Sequence, residues 1–102
     1  MEIENSSFSD AIHDGIVVVA FYAKYQKEHK KVDTILQELT NEFSNKVYVY
    51  KLNVDENPEI AKEFGINKIP SFGIFLDKKP KLKIEGIHPK SLFIDEINKL
   101  VR

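Results

Sequence analysis

The sequence predicts an α/β domain with a central mixed sheet flanked by helices on both faces. Short segments rich in β-branched and aromatic residues alternate with segments whose apolar residues recur at helical spacing. The last two strand segments are separated only by a turn, which predicts a final hairpin. Because 102 residues fit one compact unit, we expect residues 1–102 to form a single domain.

Five segments are predicted to be strands. The run Ile16–Tyr22 is continuous in β-branched and aromatic residues and too short for a core helix, so we expect a central strand buried on both faces. A turn at Asp77–Pro80 should join the last two strands. The other predicted strands are a short extended start at Glu2–Glu4, then Val47–Val54, Ser71–Leu76 and Lys81–Glu85.

Four segments are predicted to be helices, which gives the order β-α-β-α-β-α-β-β-α with parallel strands joined by helical crossovers. Apolar residues within Lys27–Phe43 keep to one face of a long amphipathic helix. Asn57 as a cap, followed by Pro58, starts the third helix, and Gly65 is its expected stop. A brief helix through Phe8–Ile12 follows a cap at Ser6–Ser7, and His88-Pro89 opens the last helix.

Charge and composition argue against several classes of function. Fifteen basic and sixteen acidic side chains give a formal charge of −1, so no global field favours nucleic acid or an anionic membrane. The N-terminus shows no secretory signal, and the longest apolar run, Ile16–Ala23, is too short to cross a bilayer. We therefore expect a cytoplasmic monomer with no nucleic-acid or membrane partner.

The sequence contains no cysteine. Disulfides, thiolate nucleophiles and cysteine-based zinc sites are therefore excluded within the chain. No phosphate-binding glycine loop is present, and no complete set of metal ligands can be assembled, so we expect no cofactor and no metal.

Four motifs along the chain are distinctive. Val19–Lys30 has the sequence VAFYAKYQKEHK, Lys51–Pro58 has KLNVDENP, Phe64–Ser71 has FGINKIPS, and Glu85–Ile87 has EGI. In order and spacing they resemble the thioredoxin-family segments V-D-F-W-A-x-W-C-G-P-C-K, K-x-[ND]-x-D-x-N-P and Y-G-I-x-x-[IV]-P-T, and the glycine of that family's fifth strand. The resemblance covers essentially the whole chain and implies a thioredoxin fold.

The chain departs from the family pattern where the family does its chemistry. The two family cysteines fall on Gln26 and His29, with Lys27-Glu28 in place of the intervening Gly-Pro. The family's buried acid, which assists proton transfer, falls on Ala20. A thiolate must attack and a second thiol must resolve the mixed disulfide, and neither glutamine nor histidine can do so. The resemblance therefore implies a redox-inactive chain without dithiol–disulfide oxidoreductase activity.

The best remaining functional candidate is the segment around Ile69-Pro70. The family holds this proline in cis, and the backbone of the residue before it pairs with an extended peptide. We therefore expect a non-catalytic module that binds a peptide or protein by short β-augmentation and apolar contact. The alternative is that Pro70 is kept only because the turn into the strand needs it. The expected peptide-binding residues are Tyr25, Ile66, Ile69, Pro70, Ser71, Gly86 and Ile87.

Other interpretations stay open at this point. His29 and Glu28 could form an acid–base or metal site, although convergent partners are missing and a solvated histidine beside a dipole-stabilising glutamate is the simpler interpretation. The domain could instead be purely structural, or could carry a redox-homeostasis role inferred from family similarity alone. Lys51, which in the family pairs with the buried acid, should reach solvent or another carboxylate.

Two lysine clusters complete the candidate features. Arginine occurs only at Arg102 and the clusters are not interleaved with aromatics, which argues against nucleic-acid binding and for solvated faces. The first cluster could still steer an acidic partner towards the altered loop. The clusters are Lys24, Lys27, Lys30 and Lys31, and then Lys78, Lys79, Lys81 and Lys83.

Overall fold

A computed structural model of the chain describes residues 7–101 together with the backbone of residues 2 and 3, and leaves the side chain of residue 45 undescribed. It contains the nine predicted elements in the predicted order. The strands are β1 (Glu2–Ile3), β2 (Ile16–Tyr22), β3 (Val47–Asn53), β4 (Ser71–Leu76) and β5 (Lys79–Glu85). The helices are α1 (Phe8–Ala11), α2 (His29–Phe43), α3 (Pro58–Glu63) and α4 (Lys90–Asn98).

The strands form one mixed sheet in the order β1-β3-β2-β4-β5. Strands β1, β2 and β3 are parallel, whereas β4 runs antiparallel to β2 and β5 runs antiparallel to β4. The predicted mixed sheet is confirmed, but the parallel crossovers are limited to the first three strands. All seven residues of β2 are buried, as expected for the central strand of a sheet covered on both faces.

Alternate residues of β2 enter two separate hydrophobic cores. Ile16, Val18, Ala20 and Tyr22 pack with the apolar faces of α2 and α4. Val17, Val19 and Phe21 pack on the opposite face with residues of α1 and α3. The predicted arrangement of helices on both faces is therefore confirmed, and it follows from the two-residue period of a strand.

The hairpin turn is tighter than predicted. Strand β5 already begins at Lys79, so only Asp77 and Lys78 connect it to β4, and both have positive φ angles, 49° and 74°. Two successive positive φ values in a two-residue loop define a type I′ turn. Pro80 lies in β5, the outermost strand, where a missing N–H is tolerated.

Helix boundaries differ in small ways that have local causes. Helix α2 begins at His29 because hydrogen-bonded turns occupy the preceding positions. Asn57 precedes α3 as predicted, but its side-chain Nδ2 donates to the backbone C=O of Asn53 at 3.0 Å instead of capping the helix. Glu4, the last residue of the predicted extended segment Glu2–Glu4, and Ser6, the first residue of the predicted cap Ser6–Ser7, fall outside the described residues. Within the described part of the chain, no helix is long and apolar enough to span a bilayer.

Candidate functional site

The altered loop at the C-terminal end of β2 is a hydrogen-bonded turn. The backbone N–H of Gln26 donates to the C=O of Ala23 at 3.1 Å, and the N–H of His29 donates to the C=O of Gln26 at 3.3 Å. The imidazole Nδ1 of His29 donates to that same Gln26 carbonyl at 2.8 Å. Because Nδ1 carries the proton in this bond, only Nε2 can act as an acceptor when the ring is neutral.

The loop residues Glu28 and His29 are not part of a cluster of metal ligands among the described residues. Glu28 is half-buried at the N-cap position of α2 and makes no side-chain capping bond. Among the residues that the structure describes, no three His, Asp or Glu side chains lie close enough together to hold an ion. His29 Nε2 is therefore an isolated ligand atom, and a metal site needs three or four.

Lys51 has a new carboxylate partner. Its position in β3 is paired in register with Ala20 of β2, which is fully buried and apolar. The Lys51 ammonium lies instead 2.9 Å from Oδ1 of Asp33 on α2 and 5.2 Å from the centre of the Tyr22 ring. The position of the family's buried acid is thus part of the hydrophobic core, and the lysine has turned to the helix surface.

A groove beside the altered loop, here called the Tyr25 groove, brings three of the predicted peptide-binding residues together. It encloses about 400 Å³ and is lined by Tyr25, Ile66 and Ile69, by Asp55, and by residues of α3 that include Lys62. Tyr25 is 74% exposed, the most exposed of the large hydrophobic side chains among the described residues. Ile66 and Ile69 are half-buried, so part of the surface of each side chain is accessible in this groove.

Pro70, Ser71 and Gly86, which were also predicted to bind the peptide, do not line the Tyr25 groove. The Ile69-Pro70 peptide bond is cis, and the buried Pro70 accepts a hydrogen bond on its C=O from the N–H of Gly86 at 2.8 Å. Ser71 is fully buried and its hydroxyl donates to the C=O of Lys68 at 2.6 Å. By contrast, no hydrogen bond joins the backbone groups of Ile69 to any other described residue.

Ile87 lies in a second groove, here called the α2–α4 groove. This groove encloses about 420 Å³ between the first turns of α2 and the loop that leads into α4. The family resemblance predicts Ile87 beside Ile69, but Ile87 does not line the Tyr25 groove, and the two grooves share no lining residue. The lining residues are Lys30, Lys31, Thr34, Ile35, Glu38, Ile87, His88, Pro89 and Lys90.

The α2–α4 groove was not visible as a unit in the sequence, because its lysines are far apart along the chain. Lys30 and Lys31 belong to the predicted first cluster, whereas Lys90 was not in either cluster. One signal was available: Lys90 is the first residue of a helix whose first turn contains no acid, the reverse of the usual charge preference.

A mixed sheet with this strand order and helices on both faces defines a protein of the thioredoxin-fold class. Comparison with known families agrees, since the family model described as Thioredoxin matches residues 1–99. The chain belongs to the thioredoxin family.

Curated relatives support the same assignment over nearly the full length. The thioredoxin of Staphylococcus saprophyticus is 33% identical over 99 residues, which cover 97% of this chain and 95% of that protein. The thioredoxins of Staphylococcus haemolyticus and Staphylococcus aureus are 31% and 28% identical over the same coverage. The chain itself has no cysteine, so none of its residues can supply the thiols of a dithiol centre.

Proposed function

We propose that this protein is a redox-inactive member of its family that binds an extended peptide segment of a partner in the Tyr25 groove. The observation that carries the proposal is the presence of three apolar side chains beside a backbone segment whose hydrogen-bonding groups are not used by other described residues. Tyr25, Ile66 and Ile69 line the groove, and the N–H and C=O of Ile69 are not used by other described residues. A peptide strand could therefore add main-chain hydrogen bonds at Ile69 and place a side chain among the apolar ones.

The surroundings of Ile69 favour a fixed binding edge. Ser71 and Pro70 are held by hydrogen bonds of 2.6 Å and 2.8 Å, to Lys68 and Gly86, immediately beside it. An edge that is already ordered loses little conformational entropy when a ligand binds. The same bonds explain why Ser71 and Gly86 act on the peptide only through the position of Ile69.

The test uses a series of uncharged peptides, acetyl-Ser-Thr-X-Thr-Ser-amide, in which X is varied over the apolar residues. Each peptide is titrated into ¹⁵N-labelled protein and the amide shifts are mapped. We expect the shifts to centre on Tyr25, Ile66 and Ile69 for at least one X. A peptide with the same side chains but N-methylated at X should bind much more weakly, because it cannot donate to the C=O of Ile69. Absence of shifts for every X, or equal binding of the methylated peptide, contradicts the proposal.

A matched pair of tyrosine variants distinguishes binding in the groove from nonspecific binding to exposed aromatic side chains. Tyr25→Ser removes an aromatic wall of the groove, whereas Tyr48→Ser removes another exposed tyrosine, 45% exposed and on β3. We expect Tyr25→Ser to weaken peptide binding by about 1–2 kcal/mol, as for an interface aromatic, and Tyr48→Ser to leave it unchanged. Equal effects of the two variants would argue against a specific groove.

The redox part of the proposal has its own assay. Insulin reduction driven by dithiothreitol should proceed at the background rate with this protein, because Gln26 and His29 cannot form or resolve a mixed disulfide. Turnover clearly above background with cysteine-free protein would refute redox inactivity.

A further inference from the structure

The α2–α4 groove combines an apolar floor with a cationic rim. Its floor includes Ile35, which is buried, and Ile87, which is half-buried. Lys30, Lys31 and Lys90 line the same groove, and all three are exposed. The only acidic side chain that lines it is Glu38, so positive charge prevails.

The lysines of this rim have no anionic partner among the residues that the structure describes. Among the described residues, the ion pairs are Lys51 with Asp33 and Lys99 with Glu96, and neither involves the groove. The neighbouring His88 donates through Nε2 to the backbone C=O of Glu85 at 2.8 Å, and an imidazole ring carries no negative charge that could neutralise the lysines. The rim charges therefore remain available to a ligand.

Helix stability does not explain why these lysines are where they are. Lys30 and Lys31 lie in the first turn of α2, and Lys90 is the first residue of α4. Neither helix has an acidic residue in its first turn, although the positive end of the helix dipole favours acids there and disfavours cations. Of the two N-cap residues, only Glu28 of α2 is an acid. Three lysines thus add to the positive ends of two helices at a single groove, and the carboxylates of Glu28 and Glu38 offset part of that charge.

We propose that the α2–α4 groove binds an acidic segment of a partner protein, one that carries an apolar side chain between carboxylates. The apolar residue would rest on Ile35 and Ile87, and the carboxylates would lie beside Lys30, Lys31 and Lys90. Charge complementarity selects this occupant. Single-stranded nucleic acid is a poorer match, since no Phe, Tyr or Trp lines the groove to stack on bases. This proposal does not depend on peptide binding in the Tyr25 groove.

The probe is the peptide acetyl-Glu-Asp-Leu-Asp-Glu-amide, compared with its uncharged isostere acetyl-Gln-Asn-Leu-Asn-Gln-amide. We expect the acidic peptide to shift amides in the first turns of α2 and at Ile87–Lys90, with an affinity that falls as salt is raised. The isostere should cause no comparable shifts. Equal binding of both peptides, or shifts centred outside the groove, would overturn the proposal.

Two triple variants with the same change in net charge provide the matched control. Lys30→Gln/Lys31→Gln/Lys90→Gln removes the rim, and Lys78→Gln/Lys79→Gln/Lys81→Gln removes exposed lysines of the hairpin. We expect the first variant to lower the affinity for the acidic peptide by about tenfold or more. The second should lower it by no more than about twofold, since exposed charges act mainly over short range. Equal losses in the two variants would refute a site in the groove.

Two further measurements distinguish binding in this groove from binding elsewhere on the protein and from nucleic-acid binding. Tyr25→Ser should leave binding of the acidic peptide unchanged, and a parallel loss there would place the peptide in the Tyr25 groove instead. A short oligothymidylate should bind no better to the parent protein than to the rim variant. Tight oligothymidylate binding that depends on the rim lysines, without binding of the acidic peptide, would overturn the choice of partner.

Discussion

The imidazole Nδ1 of His29 donates a hydrogen bond to the backbone C=O of Gln26 at 2.8 Å. These are the two positions at which the family motif places its cysteines, so here a side chain-to-backbone hydrogen bond joins them. The same carbonyl accepts the backbone N–H of His29 at 3.3 Å. A backbone turn thus brings the two positions together although neither carries a cysteine and Lys27-Glu28 lies between them.

A first prediction follows from this turn. An i-to-i+3 backbone bond places the two Cα atoms within about 7 Å, which overlaps the range of about 4.4–6.8 Å that a disulfide requires. We expect the variant Gln26→Cys/His29→Cys to form an intramolecular disulfide on mild oxidation. Loss of titratable thiols from a species that stays monomeric under non-reducing electrophoresis would show it. The single variant Gln26→Cys serves as control and should keep its thiol or form dimers; dimers from the double variant would contradict the prediction.

Most of the fold was predictable because it depends on patterns that are local in the sequence. The strand Ile16–Tyr22 was predicted to the residue, since a continuous β-branched run has no competing helical period. The errors came where one residue's conformation decides the boundary. Asp77 and Lys78 take positive φ without a glycine in either place, so the two-residue turn carried no composition signal and was predicted to be longer.

The candidate site was only partly predictable, because residues distant in sequence are arranged by the loops between them. Tyr25, Ile66 and Ile69 were expected together and do line one groove. Ile87 was expected with them, but it lines the α2–α4 groove instead. The family resemblance predicts which residues lie near the altered loop, but it does not predict which of the two grooves Ile87 lines.

The second prediction concerns the core position where the family has its acid. Ala20 is fully buried among apolar side chains facing α2 and α4. We expect Ala20→Asp to lower the free energy of unfolding by about 1–3 kcal/mol or more, because a buried polar group without a good partner is costly. Urea denaturation followed by circular dichroism measures the change.

Breaking the neighbouring ion pair between Lys51 and Asp33 tests whether Lys51 can pair with the carboxylate that Ala20→Asp introduces. Lys51 is the register partner of Ala20 but is held by Asp33 at 2.9 Å on a partly exposed surface. Asp33→Asn alone should therefore cost less than about 1 kcal/mol. Combined with Ala20→Asp, it should recover part of the loss by releasing Lys51 to the new carboxylate. Strictly additive effects of the two substitutions would show that Lys51 does not reach the core position.

The third prediction is a gain in stability at the hairpin turn. Lys78 has a φ of 74°, a left-handed conformation that costs an L-residue about 1–2 kcal/mol and costs glycine almost nothing. Asp77 should be left unchanged, because its backbone N–H donates to the C=O of Gly15 at 2.9 Å and its Oδ1 accepts from the N–H of Gly15 at 3.0 Å. Lys78→Gly then creates the Asp-Gly pair that type I′ turns favour. Part of the gain is offset because glycine makes the unfolded chain more flexible, so we expect a net stabilisation of about 0.5–1 kcal/mol.

Lys78→Ala removes the same charge while keeping a Cβ, and it should give no such gain in urea denaturation. If the alanine variant were as stable as the glycine variant, the effect would come from charge and not from the backbone of the turn.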